Sequence, residues 1–274
     1  MQQRPLIDFA PYLRRWALQA DGAPFASLAG TLMPVLHAGA PAMLKISHEP
    51  DEIFGAGAMQ WWDGEGAARV LAHDGEALLM ERATGSRSLV TMVRDGQDDD
   101  ASRIICGVAA QLHAPRPKPL PPLKPMVHWF AALPLGAPQY GGIVARAAAT
   151  LEQLLAFPRD VTQLHGDLHH ENVLDGGQHR GWLAIDPKGL LGDRGYDFAN
   201  IVCNPERDLD IVTSPGRLLR QAGVIAEAAG YERRRLLQWI LAYAGLSAVW
   251  ILDDGDTPHL EFEVADIVAA ELDR

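Results

Sequence analysis

The segment Leu164-His165-Gly166-Asp167-Leu168-His169-His170-Glu171-Asn172-Val173-Leu174 sets an aspartate and an asparagine five positions apart between apolar flanks. A carboxylate so placed can orient and deprotonate a hydroxyl, and a nearby amide oxygen can help hold a hard divalent cation. Transfer of a phosphoryl group from a nucleotide to an alcohol needs both. A string this short also arises by chance, so the elements around it must decide.

Between Asn172 and Asp186 the chain runs Val173-Leu174, then Asp175 to Gly181, then Trp182-Leu183-Ala184-Ile185. Two short apolar strands around a Gly-rich turn make a β-hairpin, in which the start of the first strand lies beside the end of the second. The spacing therefore predicts that Asn172 and Asp186 meet at one end and converge with Asp167. Mg²⁺ keeps waters and phosphate oxygens in its shell, so one carboxylate and one amide oxygen are enough protein ligands.

Further upstream, Pro41 to Ser47 reads as a strand with Ala42, Leu44 and Ile46 on one face and Met43, Lys45 and Ser47 on the other. Asp51 to Trp62 reads as a helix and Ala77 to Glu81 as another short strand, giving a small sheet-rich lobe over residues 1–84. Residues 85–274 read as a larger, mainly helical lobe. Its helices are expected over Ser102–His113, Ile143–Phe157 and three stretches after Arg217, broken at Gly230-Tyr231 and at Asp253 to Pro258. Ala114 to Pro125 holds too many prolines for helix or ladder and should be an extended connector. The fold class expected is α+β and bilobal.

The 274 residues carry 35 acidic and 24 basic side chains, a formal net charge of -11. Such a surface disfavours nucleic acid and suits a small cationic, hydroxylated substrate. Cys106 and Cys203 stand in no CxxC pair and read as small buried hydrophobes. The N-terminus breaks its short apolar run with Asp8, and Leu236 to Leu252 is interrupted by Gln238, Tyr243, Gly245 and Ser247. These features lead to the expectation of a cytoplasmic protein with no membrane span and no obligatory protein partner.

HGDLHHENVL followed by AIDPKGLLGDRGYDFANIVCNP resembles the aminoglycoside phosphotransferase family, in particular its streptomycin 6-phosphotransferase and hydroxyurea-resistance kinase branch. The match is specific over residues 160–206 and colinear over most of the chain. The resemblance implies a protein-kinase-like fold with an antiparallel-sheet N-lobe, ATP and Mg²⁺ as cofactors, and an aminocyclitol antibiotic of the streptomycin type as acceptor. It implies Asp167 as the catalytic aspartate and Asn172 and Asp186 as Mg²⁺ ligands. It also implies Lys45 as the lysine on the α- and β-phosphates. Glu52 is the expected partner of Lys45, because Glu49 precedes Pro50 and falls outside the helix. The phosphate-covering loop has no GxGxxG; Phe25 to Thr31, with Ser27, is the candidate. Met80, Glu81 and Ala83 would form the hinge that reads the purine edge. The triplet Asp186-Pro187-Lys188 stands where protein kinases carry DFG, so no phenylalanine switch is expected.

Several residues admit other readings. His165, His169 and His170 could suggest a transition-metal site, but His165 on such a loop is expected to brace its backbone. Asp197 is expected to accept loop amides rather than to react. Asp193 is a candidate substrate contact. Trp61, Trp62, Trp239 and Trp250 read as core, and Asp98-Asp99-Asp100 reads as a solvated loop or helix start. A metabolic sugar or amino-alcohol kinase, a nucleotide-binding pseudokinase that serves as an interaction module, and a His-metal hydrolase remain as rival functions.

Overall fold

The computed structural model describes residues 8–27 and 29–274. The N-lobe begins with α1 (Ala10–Arg15) and the two-residue strands β1 (Gln19–Ala20) and β2 (Phe25–Ala26). The main strands β3 (Gly30–His37) and β4 (Ala40–Ser47) follow, then α2 (Pro50–Trp62), β5 (Val70–Asp74) and β6 (Ala77–Glu81). All pairings in this sheet are antiparallel, in the order β1-β3-β4-β6-β5, with β2 on β3. The alternation along β4 divides its faces as the sequence pattern requires. Ala42, Leu44 and Ile46 enter a small core with Phe9, Val35, Ala77 and Leu79, covered by Tyr12 and Trp16 of the α1 region. Lys45 and Ser47 point the other way, toward α2, and are buried there.

The chain leaves the sheet after Glu81 and enters the C-lobe through α3 (Leu89–Arg94) and α4 (Asp98–His113). The proline-rich stretch has no regular structure until β7 (Lys124–Pro125), in keeping with its lost amide donors. The helices α5 (Met126–Trp129), α6 (Ala132–Tyr140) and α7 (Gly142–Ala156) precede β8 (Val161–Leu164), and the hairpin β9 (Val173–Asp175) and β10 (Trp182–Ala184) comes next. Strand β11 (Leu190–Asp193) pairs with β8 and β7 and runs into two 3₁₀ turns, Arg194–Phe198 and Asn200–Cys203. The chain ends in α8 (Leu209–Val212), α9 (Arg217–Ala229), α10 (Arg233–Asp253) and α11 (His259–Leu272). α9 ends at Gly230, whose left-handed φ of 55° lets its amide turn back to the carbonyl of Glu227.

α10 is long and apolar enough to cross a membrane by length and composition. Its Leu236, Leu237, Trp239, Ile240, Leu241 and Leu246 are instead buried in the C-lobe core, against α7 and α11. Two expectations need correction. Trp250 is 38% exposed rather than core, although it packs edge-on against Trp129. Asp98 does start α4, but it is not solvated: it is buried in a bidentate pair with Arg217, at 2.8 and 3.0 Å, which ties α4 to α9. Cys106 and Cys203 are buried free thiols, both pushed up to about 12 by burial.

Candidate active site

The hairpin register pairs Val173 with Ala184, and the amide of Ile185 donates to the carbonyl of Asn172 at 2.9 Å. This ladder brings Asn172 and Asp186 to one end of the ribbon, as the sequence spacing requires. Asp186 has a left-handed φ of 59°, a conformation that aspartate tolerates better than most residues, and it turns the chain sharply out of β10. The amide group of Asn172 donates to the Asp167 carbonyl at 2.8 Å and lies 3.4 Å from its carboxylate, which leaves the Asn172 side-chain oxygen for other contacts.

The loop that carries Asp167 is held from beneath. Asp197 accepts the amides of His165 and Gly166 at 2.9 and 2.7 Å, and His113 Nε2 lies 2.7 Å from the same carboxylate. Burial pushes the Asp197 carboxyl up, but the hydrogen bond and charge of His113, His165 and the Gly166 amide outweigh it and hold the group below its usual range. His165 Nε2 donates to the Ile185 carbonyl at 2.8 Å while its Nδ1 accepts the Asp167 amide at 3.2 Å. These two partners together require the neutral Nε2–H tautomer. Burial, opposed by Asp197 and Asp167, lowers the His165 pKa in agreement with that form. Trp62 stacks on His165 at a centroid distance of 6.3 Å, joining α2 to the loop.

Across the cleft, Lys45 Nζ lies 2.5 Å from Glu52 Oε2 and 2.7 Å from Asp186 Oδ1. Glu52 sits in the first turn of α2, whereas Glu49 takes the N-cap position outside the helix, ahead of Pro50. The other oxygen of Glu52 lies 3.3 Å from Lys188 Nζ, which in turn lies 3.6 Å from Asp167 Oδ2. Burial opposes the charge of Lys188, but Asp167, Glu52 and Asp186 more than offset it and raise its pKa. The side chains Asp186, Lys45, Glu52, Lys188 and Asp167 thus form one chain of alternating charge from the N-lobe to the loop.

Two adjoining cavities open on this chain. One, of about 530 Å³, is lined by Ser27, Glu49, Glu52, Asp167, His169, Glu171, Asn172, Asp186, Lys188 and Arg207. The other, of about 300 Å³, is mainly apolar, with Phe25, Leu32 and Met43 on one side, Leu174, Leu183 and Ile185 on the other, and Met80 to Ala83 at its edge. A flat aromatic ring would fit between such walls. The Glu81 amide already donates to Arg69 at 2.9 Å, so it cannot also serve a ring at the hinge. The Ala83 amide has no partner among the described residues. In the phosphate-covering segment Ser27 reaches the cleft, with its hydroxyl donating to the Gly30 carbonyl at 3.2 Å; Leu28 lies outside the described residues.

Other candidates fall elsewhere. Asp193 is buried beneath the C-lobe, accepting from Tyr231 at 2.6 Å, Arg235 at 2.6 Å and the amides of Gly195 and Arg159 at 3.0 Å. With its oxygens occupied and no place in either cavity, it is a structural residue and not a substrate contact. Among the described residues no three His, Cys, Asp or Glu side chains cluster to hold a metal, so the zinc or iron reading of the histidines has no ligand set. Sequence reasoning missed Asn200, whose side-chain amide donates to Asp167 Oδ1 at 3.0 Å. Its place three residues after Asp197 becomes a signal only once the two 3₁₀ turns are known, so the sequence alone did not point to it.

Comparisons with known proteins cover nearly the whole chain. The family model of aminoglycoside/hydroxyurea antibiotic resistance kinases matches residues 15–255. The chain belongs to that family. Within it, the kinase is 49% identical to streptomycin 3''-kinase of Klebsiella pneumoniae over 248 residues, 89% of this chain and 92% of that one. It is 32% identical to streptomycin 6-kinase of Streptomyces griseus, covering 92% of this chain and 84% of the other. Among solved structures, a ternary complex of aminoglycoside phosphotransferase APH(4)-Ia superposes with a TM-score of 0.68 at 14% identity, covering 96% of this kinase and 98% of that chain. That likeness establishes the protein-kinase-like bilobal fold.

Proposed function

We propose that this kinase transfers the γ-phosphoryl group of ATP to a hydroxyl of streptomycin, at the 3'' position. The observation that carries the reading is the placement of Asp167. Its carboxylate is fixed by Asn200 at 3.0 Å and lies at a cavity shared with Asn172, Asp186 and Lys188. Within the family, 49% identity to a streptomycin 3''-kinase against 32% to a streptomycin 6-kinase favours the 3'' hydroxyl. This choice departs from the 6-phosphotransferase branch indicated by the motif alone.

The adenine would lie in the apolar cavity, between Phe25 and Met43 above and Leu183 and Ile185 below, with the Ala83 amide at its edge. Lys45, held straight by Glu52, would meet the α- and β-phosphates. Asn172 and Asp186 present two oxygen donors on one side of the cleft, a set that fits Mg²⁺ with waters and phosphates completing its shell. When bound, Mg²⁺ neutralises charge on the phosphate oxygens. Asp167 would take the proton of the attacking hydroxyl, with Asn200 and the loop beneath it setting its direction. Glu49 and Glu171 at the cavity rim, together with the net charge of -11, favour a guanidinium-bearing acceptor.

The test is incubation of the purified enzyme with ATP, Mg²⁺ and streptomycin, with the phosphate located on the product by NMR. A 3'' phosphate is expected. Phosphate at the 6 hydroxyl would overturn the regiochemistry, and turnover confined to sugars or amino alcohols would overturn the antibiotic acceptor.

A further inference from the structure

We propose that Lys188 is a catalytic residue, its ammonium contacting the phosphoryl group in flight between nucleotide and acceptor. The inference deepens the reaction proposed above and rests on it. Of the side chains lining the larger cavity, Glu49, Glu52, Asp167, Glu171 and Asp186 are acidic, whereas Lys188 and Arg207 are the cations. Mg²⁺ held by Asn172 and Asp186 would offset this field on the nucleotide side, but as the phosphoryl group moves toward Asp167 its three charged oxygens need a cation on the acceptor side as well. Arg207 is exposed at the rim. Lys45, held at 2.5 and 2.7 Å by Glu52 and Asp186, is assigned to the α- and β-phosphates.

Lys188 is placed and free for this task. Its side chain is only 17% exposed, and its ammonium sits between Glu52, whose partner Lys45 marks the nucleotide side, and Asp167 on the acceptor side. The distances decide its availability. Charge-assisted N–H···O contacts settle at about 2.7 to 2.9 Å, whereas Lys188 stands 3.3 Å from Glu52 and 3.6 Å from Asp167. The two carboxylates hold its charge without saturating its three donors. Its backbone is fixed as well: the Lys188 amide donates to the His165 carbonyl at 2.7 Å. The preceding carbonyl of Pro187 lies against α2 where Gly55 leaves no Cβ.

In the transfer, the bond from the γ-phosphorus to the β,γ-bridging oxygen breaks and its electron pair leaves with ADP. The acceptor oxygen forms the new bond to phosphorus, and its proton passes to Asp167. Lys188 stays protonated throughout and moves its contact with the phosphoryl oxygens from donor to acceptor side.

The experiment compares Lys188→Met and Lys188→Arg with the wild type in single-turnover transfer to streptomycin and, without acceptor, in hydrolysis of ATP to ADP and phosphate. Equilibrium binding of ATP and the rate ratio between ATP and its γ-thio analogue are measured alongside. Lys188→Met is expected to slow both reactions about 100-fold or more while ATP affinity stays within about threefold, with Lys188→Arg regaining at least about tenfold and the thio ratio shrinking in the Met variant. Rates within about threefold of wild type, a loss of rate matched by loss of ATP affinity, an Arg variant no better than Met, or an unchanged thio ratio would each overturn the proposal. Wild-type hydrolysis without transfer to streptomycin would instead refute the acceptor, leaving the hydrolysis series to judge Lys188.

Discussion

The side-chain amide of Asn200 donates to Asp167 Oδ1 at 3.0 Å, and Asn200 is itself fixed by Asn204, whose amide group reaches the Asn200 side-chain oxygen at 2.8 Å. The carbonyl of Asn204 accepts from Arg217 at 2.9 Å, and Arg217 is clamped by Asp98. The direction of the Asp167 carboxylate is thus set by a buried polar relay that begins on α4. Asn200→Ala should leave the loop folded through Asp197 but free the carboxylate to rotate. Turnover is expected to fall about 10- to 100-fold with ATP affinity unchanged, as measured by steady-state kinetics and calorimetry.

Glu52 holds the lysines on both sides of the cleft, so its loss should appear in binding as well as in stability. Glu52→Gln keeps the shape but weakens a buried charged hydrogen bond, at a cost of about 1.5 to 3 kcal/mol by chemical denaturation. The KM for ATP should rise because Lys45 is no longer held in line. A variant with wild-type KM and stability would mean that Asp186 alone positions Lys45.

Gly55 marks the place where α2 touches the Asp186-Pro187-Lys188 segment. A Cβ there would lie 1.7 Å from the Pro187 carbonyl oxygen and 2.7 Å from its carbon. Gly55→Ala must therefore push α2 away from Asp186 and Lys188. A loss of about 1 to 3 kcal/mol in stability is expected, together with weaker ATP binding, even though alanine is the better helix former. Increased stability would contradict the close packing.

His165 is buried neutral, with its pKa below the usual histidine value. The unfolded chain takes up a proton below about pH 6.5 that the folded chain refuses, so this residue makes stability fall as pH drops from that point toward its folded pKa. Asp197 adds the same sign at lower pH. Its folded pKa is depressed, so its contribution is present above the ordinary aspartate range and is lost as pH falls through the folded value. Urea midpoints measured from pH 8 to pH 4 should decline below about pH 6.5 in wild type, with a shallower decline in His165→Leu. Equal slopes would show that His165 does not set the acid sensitivity.

The loop and hairpin were legible in the sequence because their register is local: seven turn residues between two apolar strands leave Asn172 and Asp186 little choice of position. Lys45 and Glu52 were legible because strand alternation and the proline at position 50 fix which side each takes. Asn200 was not, because its approach to Asp167 depends on how β11 and the 3₁₀ turns cross beneath the loop. Asp193, a candidate substrate contact by sequence, is instead buried because Arg235 and Tyr231 arrive from the last third of the chain to pair with it. Asp98 was legible as a helix start but not as buried, its partner Arg217 lying more than a hundred residues away.

In the proposed reaction Asp167 takes the proton of a streptomycin hydroxyl as the γ-phosphoryl group of ATP is transferred. Rapid-quench single-turnover transfer from γ-labelled ATP to streptomycin, run with wild type and Asp167→Asn at matched nucleotide saturation, tests it most directly. The expected result is a stoichiometric burst of streptomycin phosphate in the wild type, a rate about 100- to 10,000-fold lower in the variant, and the same ATP affinity in both. A variant burst at the wild-type rate, or no phosphorylated streptomycin from the wild type, would contradict the account.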